Sequence, residues 1–208
     1  MIFCRYHSLT SMMQHRTTIK ASNLFIAATL LGNVVACSPG AQAQDTTFVP
    51  LVESMAARLQ TAYPVALSKI DSGKPVYDKA REAQVIANVK RVAPTYQIAS
   101  EDAAAVFSDQ IEASKVAQYA LLNDWRRAGQ APSAPRRPLE DIRTELDRLQ
   151  GDILRELYLA GPLRRLPDCK IQVAKSVEHV SKDGNFNFDV EQRVTLDRAV
   201  ASVCLPSP

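Results

Sequence analysis

Ile142, Leu146, Leu149, Ile153 and Leu157 recur every three or four residues, so a helix over Leu139–Leu159 gathers all five onto one apolar face. Helical periodicity continues through the other apolar segments, and an alternating strand pattern persists nowhere. The chain is therefore expected to be all-α, with about six helices in one domain. The first runs from about Val49 to Asp71 and buries Leu51, Met55, Leu59, Ala62 and Ala66; Pro64, lacking a backbone donor, should kink it. Asp71-Ser72-Gly73-Lys74-Pro75 is a stop-and-turn signal. The second helix is expected over Tyr77–Ala93. The third is expected over Ser100–Arg127, with Ser100 as N-cap, Glu101 and Asp102 where the helix dipole favours acids, and Phe107, Ile111, Tyr119, Leu122 and Trp125 along its length. Residues 128–138 (AGQAPSAPRRP) form a proline-rich connector to the Leu139–Leu159 helix, which Gly161-Pro162 ends. Two shorter helices, about Asp168–Ser181 and Asp189–Cys204, complete the chain around a Lys182-Asp183-Gly184-Asn185 turn.

The first 43 residues read differently. Arg16 and Lys20 precede an apolar run, Leu24–Val35, that is too short to span a bilayer, the pattern of an export signal. Two processing sites compete. Ala41-Gln42-Ala43 suits cleavage before Gln44, whereas Val34-Val35-Ala36-Cys37 resembles a lipobox that would lipidate Cys37 and tether the chain to a membrane. The residues before Met12 or Met13 add nothing that such a signal needs. Residues 44–208 then form the exported domain, in the periplasm or outside the cell.

Charge and cysteines fit this division. Residues 1–44 hold Arg5, Arg16 and Lys20 and no acid, which leaves 22 basic and 22 acidic residues beyond them. A neutral domain argues against nucleic acid or an anionic membrane surface as partner. Cys4 and Cys37 fall in or beside the signal, so the domain keeps Cys169 and Cys204, which in an oxidising compartment suggest one disulfide; two unrelated buried thiols are the alternative. His179 is the domain's sole histidine, which leaves a His-based triad or His-rich metal site nothing to assemble from; it is read as solvated. The pairs Arg136-Arg137 and Arg164-Arg165 are read as solubilising loop charges.

A set of polar residues carries more. Arg58 and Lys69 stand 11 apart, about three turns, and so point off one helix face. Asp78, Arg81 and Glu82 follow at i, i+3 and i+4 on the second helix, and Ser114 and Gln118 at i and i+4 on the third. Singly, each reads as solvated surface. Jointly, three cations, two acids and two neutral hydrogen-bonding groups could converge on a small dianion bearing hydroxyl and ether oxygens.

Residues 48–127, through AARLQTAYPVALSK, PVYDKARE and VFSDQIEASKVAQY, resemble the all-helical (type II) chorismate mutases. That family has an Arg, a Lys 11 later, an Asp 9 beyond, Arg-Glu 3 and 4 after it, then a hydroxyl residue with Gln or Glu four later; Arg58, Lys69, Asp78, Arg81, Glu82, Ser114 and Gln118 match it. The secreted subclass takes a further Arg from a helix after a proline-rich connector, where Arg143 lies, and has a C-terminal disulfide, where Cys169 and Cys204 lie. Many secreted members have Glu at the position of Gln118; an amide donates at any pH, whereas Glu must first be protonated. Lys115 is acidic in some members and receives no role.

The resemblance implies an exported enzyme that rearranges chorismate to prephenate without cofactor or metal. Lys69 and Gln118 would be catalytic; Arg58, Asp78, Arg81, Glu82, Ser114 and Arg143 would join them in binding substrate. A homodimer with each site inside one chain is expected. The alternative is a non-catalytic periplasmic helical module that binds a chorismate-like dicarboxylate.

Overall fold

The computed structural model describes residues 47–182 and 184–206. The expected export signal and Cys37 lie outside them. Among the described residues there are seven α-helical segments and no strand: α1 (Val49–Gln60), α2 (Ala62–Ser72), α3 (Lys79–Val92), α4 (Ser100–Arg127), α5 (Leu139–Leu159), α6 (Cys169–Lys182) and α7 (Val190–Ala199). α4, the longest, packs against α7, α3 and α2, while α1 packs against α5 and α6. Leu51, Met55, Phe107, Ile153, Leu157, Val177 and Leu196 are buried in one cluster shared by these helices. Most of the expected stripe residues fall inside, but Ile111 and Leu146 are half-buried and Tyr119 is 47% exposed.

The expected first helix is two helices. Pro64 offers no N–H to the carbonyl of Gln60, and the Thr61 hydroxyl donates to Arg58 O at 2.7 Å, so the chain breaks at Thr61 rather than kinking through. Arg58 thus lies in the last turn of α1 and Lys69 in the last turn of α2. Gly73 terminates α2 in the left-handed conformation (φ 67°), which glycine adopts without a Cβ penalty.

Other boundaries move for identifiable reasons. Ser100 is not an N-cap: it is the first residue of α4, and its hydroxyl donates to Lys90 O at 2.8 Å. Asp78 caps α3 instead, accepting from Arg81 N at 3.0 Å, so α3 begins after Tyr77. At α7 an Asp189–Gln192 capping box sets the start, and the helix stops at Ala199, five residues short of Cys204. Cys169 and Cys204 form the expected disulfide, but it joins the first residue of α6 to the tail beyond α7.

Arg164 corrects the reading of the basic pairs. Its side chain is 1% exposed. Nε donates to Val203 O at 2.6 Å, Nη1 and Nη2 grip Asp102 at the start of α4, and Leu205 N donates back to Arg164 O at 2.8 Å. With the disulfide, these bonds fasten the C-terminal tail to α4 and α6. His179 is exposed, as expected.

The connector has a defined course. Ala131 and Ala134 pack on a second cluster of Ala66, Leu67, Val76, Leu122 and Trp125. Arg136 joins Asp71 through bonds of 2.6 and 3.1 Å, and that hydrogen bond holds the Asp71 carboxyl below its ordinary value. The connector is thereby held at the end of α2, and α5, which carries Arg143, packs against α2.

Candidate active site

A cavity of about 750 Å³ opens between α1, α2, α3, α4 and α5, and all eight residues of the expected set line it. Its wall carries seven Lys or Arg and four Asp or Glu side chains, an excess of positive charge suited to a dianion. Val65, Val85, Ile111, Ile142 and Leu146 supply an apolar surface for a carbon skeleton.

Arg58 is 7% exposed, and its guanidinium lies 5.8 Å from the Phe107 ring centroid. Its Nε is buried without a hydrogen-bond partner. Burial first, and the nearby Arg81 second, push its pKa down to about 10. A buried cation facing another cation with an unused donor gains from any anion brought to it. Arg81 reaches Gln84 at 2.8 Å.

Lys69 enters from α2 and donates to Val76 O at 2.5 Å. Burial lowers its pKa, and the charges of Asp78 and Glu82 offset part of that. The ammonium has three donors, and this backbone bond uses one. A backbone carbonyl cannot be foreseen from a pattern of residue types, so the anchor at Val76 escapes sequence reasoning.

On α4, Gln118 Nε2 donates to Ser114 O at 3.2 Å and Ser114 Oγ at 3.1 Å. Gln118 is 5% exposed, and its Oε1 is buried with no partner. The amide's donor group is therefore engaged by the preceding turn, and the atom left without a partner is its acceptor, in a wall that it shares with Arg58 and Lys69.

Asp78 spends one carboxylate oxygen on the α3 cap and acts on Lys69 through its charge. Glu82 Oε1 accepts a long 3.4 Å bond from Asp78 N, and Oε2 meets Lys115 Nζ at 3.1 Å. Arg143 stands at the rim with its side chain 52% exposed, 3.6 Å from Glu140 on the same helix. The geometry thus gathers the whole expected set in one chain.

Sequence reasoning gave no role to Lys115, which lines the same wall. It also passed over Asn88, Arg91 and Gln150, a hydrogen-bonded chain on the cavity's α3–α5 side. Asn88 and Gln150 are 62 residues apart, and no local spacing signals their contact.

The lining contains neither histidine nor cysteine. Its resources are fixed cations, amide and hydroxyl groups and an apolar wall. They can grip a small dianion, orient it and stabilise charge that grows on an oxygen.

Comparison with known proteins agrees. Residues 50–119 match the family described as chorismate mutase type II. The chain is 32% identical over 168 residues to the secreted chorismate mutase of Mycolicibacterium smegmatis, covering 80% of this chain and 92% of that one. The crystal structure of chorismate mutase from Burkholderia phymatum is similar at 53% identity and a TM-score of 0.74, covering 76% of this chain and 96% of that one. The chorismate mutase structure from Burkholderia thailandensis is similar at 35% identity and a TM-score of 0.71, covering 77% and 100%.

Proposed function

The chain belongs to the type II chorismate mutases, and from that premise we propose how its cavity converts chorismate to prephenate. The reaction is an intramolecular Claisen rearrangement: an ether C–O bond breaks while a C–C bond forms within one molecule. No group is transferred, so the protein needs no nucleophile, base, metal or cofactor. It must hold a flexible dianion in its compact reactive conformer and stabilise negative charge that develops on the ether oxygen.

The first task falls to the cations. Arg58 and Arg143 hold the two carboxylates, with Arg81 supporting and Ser114 assisting at one of them. Fixing the conformer removes much of the entropic part of the barrier in advance. The second task falls to Lys69 and Gln118, which donate to the ether oxygen from α2 and α4. Lys69, with one donor spent on Val76 O, is preorganised for a charge that exists only in the transition state, and Gln118 joins it when Nε2 exchanges a Ser114 contact for the substrate; a donor of this kind is typically worth about 10²–10³ in rate. Glu82 accepts from the ring hydroxyl. Asp78 orients the cationic wall.

The observation that carries this reading is the shared wall of Arg58, Lys69 and Gln118: one cavity presents a buried guanidinium with an unused donor beside an ammonium and an amide. Purified protein incubated with chorismate should consume its absorbance and yield prephenate. Tight binding of chorismate without turnover would instead establish the non-catalytic binding module.

The chain is read as secreted, in keeping with the relative named a secreted chorismate mutase; no helix among the described residues is long and apolar enough to cross a membrane. More finely, we propose a periplasmic or secreted enzyme in which residues 44–208 carry the whole activity. It forms a homodimer whose sites each lie within one chain, with membrane attachment only through a lipid on Cys37.

A further inference from the structure

Lys115 lines the cavity beside Ser114, and the mechanism so far leaves it idle. Its ammonium lies 3.1 Å from Glu82 Oε2, 2.7 Å from Glu112 Oε1 and 5.2 Å from the Tyr77 ring centroid, with the side chain 16% exposed. Burial alone would depress its pKa, but the hydrogen bonds to Glu112 and Glu82 outweigh it and raise the ammonium above the ordinary lysine value. Two carboxylates and a ring face thus engage this cation, which leaves it no charge to offer a substrate carboxylate.

Its influence must run through Glu82. That carboxylate has one other tether, the 3.4 Å bond from Asp78 N, too long to fix a side chain with three rotatable bonds. Lys115 holds Oε2 and leaves the lone pairs of Oε1 turned to other donors. The same ammonium touches Tyr77, between Val76, whose carbonyl anchors Lys69, and Asp78, which caps α3. A single α4 side chain therefore ties down both the carboxylate and the loop beside it.

We propose that Lys115 is a positioning residue that fixes the Glu82 carboxylate so that Oε1 receives the substrate's ring hydroxyl. This rests on the reading of Glu82 given above. The hydroxyl is unchanged by the rearrangement, so the contact binds ground state and transition state alike, and its loss appears in KM rather than kcat.

The test is a double-mutant cycle on the purified protein with chorismate as probe: parent, Lys115→Met, Glu82→Gln and the double variant, with Lys115→Arg as rescue. Lys115→Met should raise KM about tenfold with a much smaller change in kcat, in line with one charge-assisted hydrogen bond. Lys115→Arg should recover most of that loss. The double variant should be no worse than Glu82→Gln alone, because both changes remove one interaction. If Glu82→Gln is damaged while Lys115→Met is parent-like, or if the two losses add, the positioning role is overturned and the Glu82 reading stands. A parent-like Glu82→Gln would overturn both. If Lys115→Met does not fold, Lys115→Gln enters the same cycle and the same outcomes decide.

Discussion

Arg164 closes both arms of its guanidinium on Asp102, Nη1 to Oδ2 at 2.8 Å and Nη2 to Oδ1 at 2.6 Å, across 62 residues of chain. Removing one partner of a buried ion pair strands the other and frees the tail that Val203 O anchors. Arg164→Ala should therefore cost about 3 kcal/mol of folding stability, read from the urea midpoint. Arg164→Lys should recover only part, since an ammonium cannot reproduce the forked contact. Activity well below the melting temperature should stay near parental.

The Cys169–Cys204 disulfide closes 35 residues of chain. In the chain-entropy model a loop of that length contributes roughly 3–4 kcal/mol. Reduction should lower the melting temperature while the turnover rate of protein that remains folded changes little. A turnover rate that collapses before any unfolding is detected would place the tail in the chemistry.

The pH dependence follows from two cations that burial depresses. Lys69 and Arg58 act protonated, so activity is intact below their folded pKa values and is lost as pH rises through them. For Lys69 that limb lies below the ordinary lysine value, and for Arg58 it lies at about 10. kcat/KM measured from neutral pH upward should therefore begin to fall short of the range in which an exposed lysine titrates, near 10.4. A profile still flat beyond that value would mean that neither ammonium nor guanidinium loss limits the reaction.

Because one chain surrounds the cavity, the site should not be shared. Arg58→Ala and Arg143→Ala chains, each inactive alone, should remain inactive when mixed under conditions that exchange subunits. Recovered activity would show that one chain lends its Arg143 to another.

The helices were readable because their stripes are local: Ile142 to Leu157, and Leu51 to Ala66, announce their faces at three- and four-residue spacing. What sequence reading mistook depended on distance or on backbone. The break at Thr61 needed the hydroxyl bond to Arg58 O in addition to Pro64. Arg164 looked like a loop charge because Asp102 and Val203, which bury it, lie far along the chain. Lys115 remained without a role because Glu82 meets it across two helices. That eight residues would line one cavity was legible because the family motif fixes their spacing, but the Val76 carbonyl that holds Lys69 belongs to no motif.

The claim at the centre is that Gln118, in the wall shared with Lys69, donates to the ether oxygen as charge develops there. Its removal as Gln118→Ala should cost about 10²–10³ in kcat with far less effect on substrate affinity. The most direct measurement is the pH–rate profile of Gln118→Glu. A glutamate donates only when protonated, so its kcat should fall steadily as pH rises from about 5 to 8 while the parent stays nearly flat. A Gln118→Glu profile that is as flat as the parent's would contradict the donor role and the map of the site built around it.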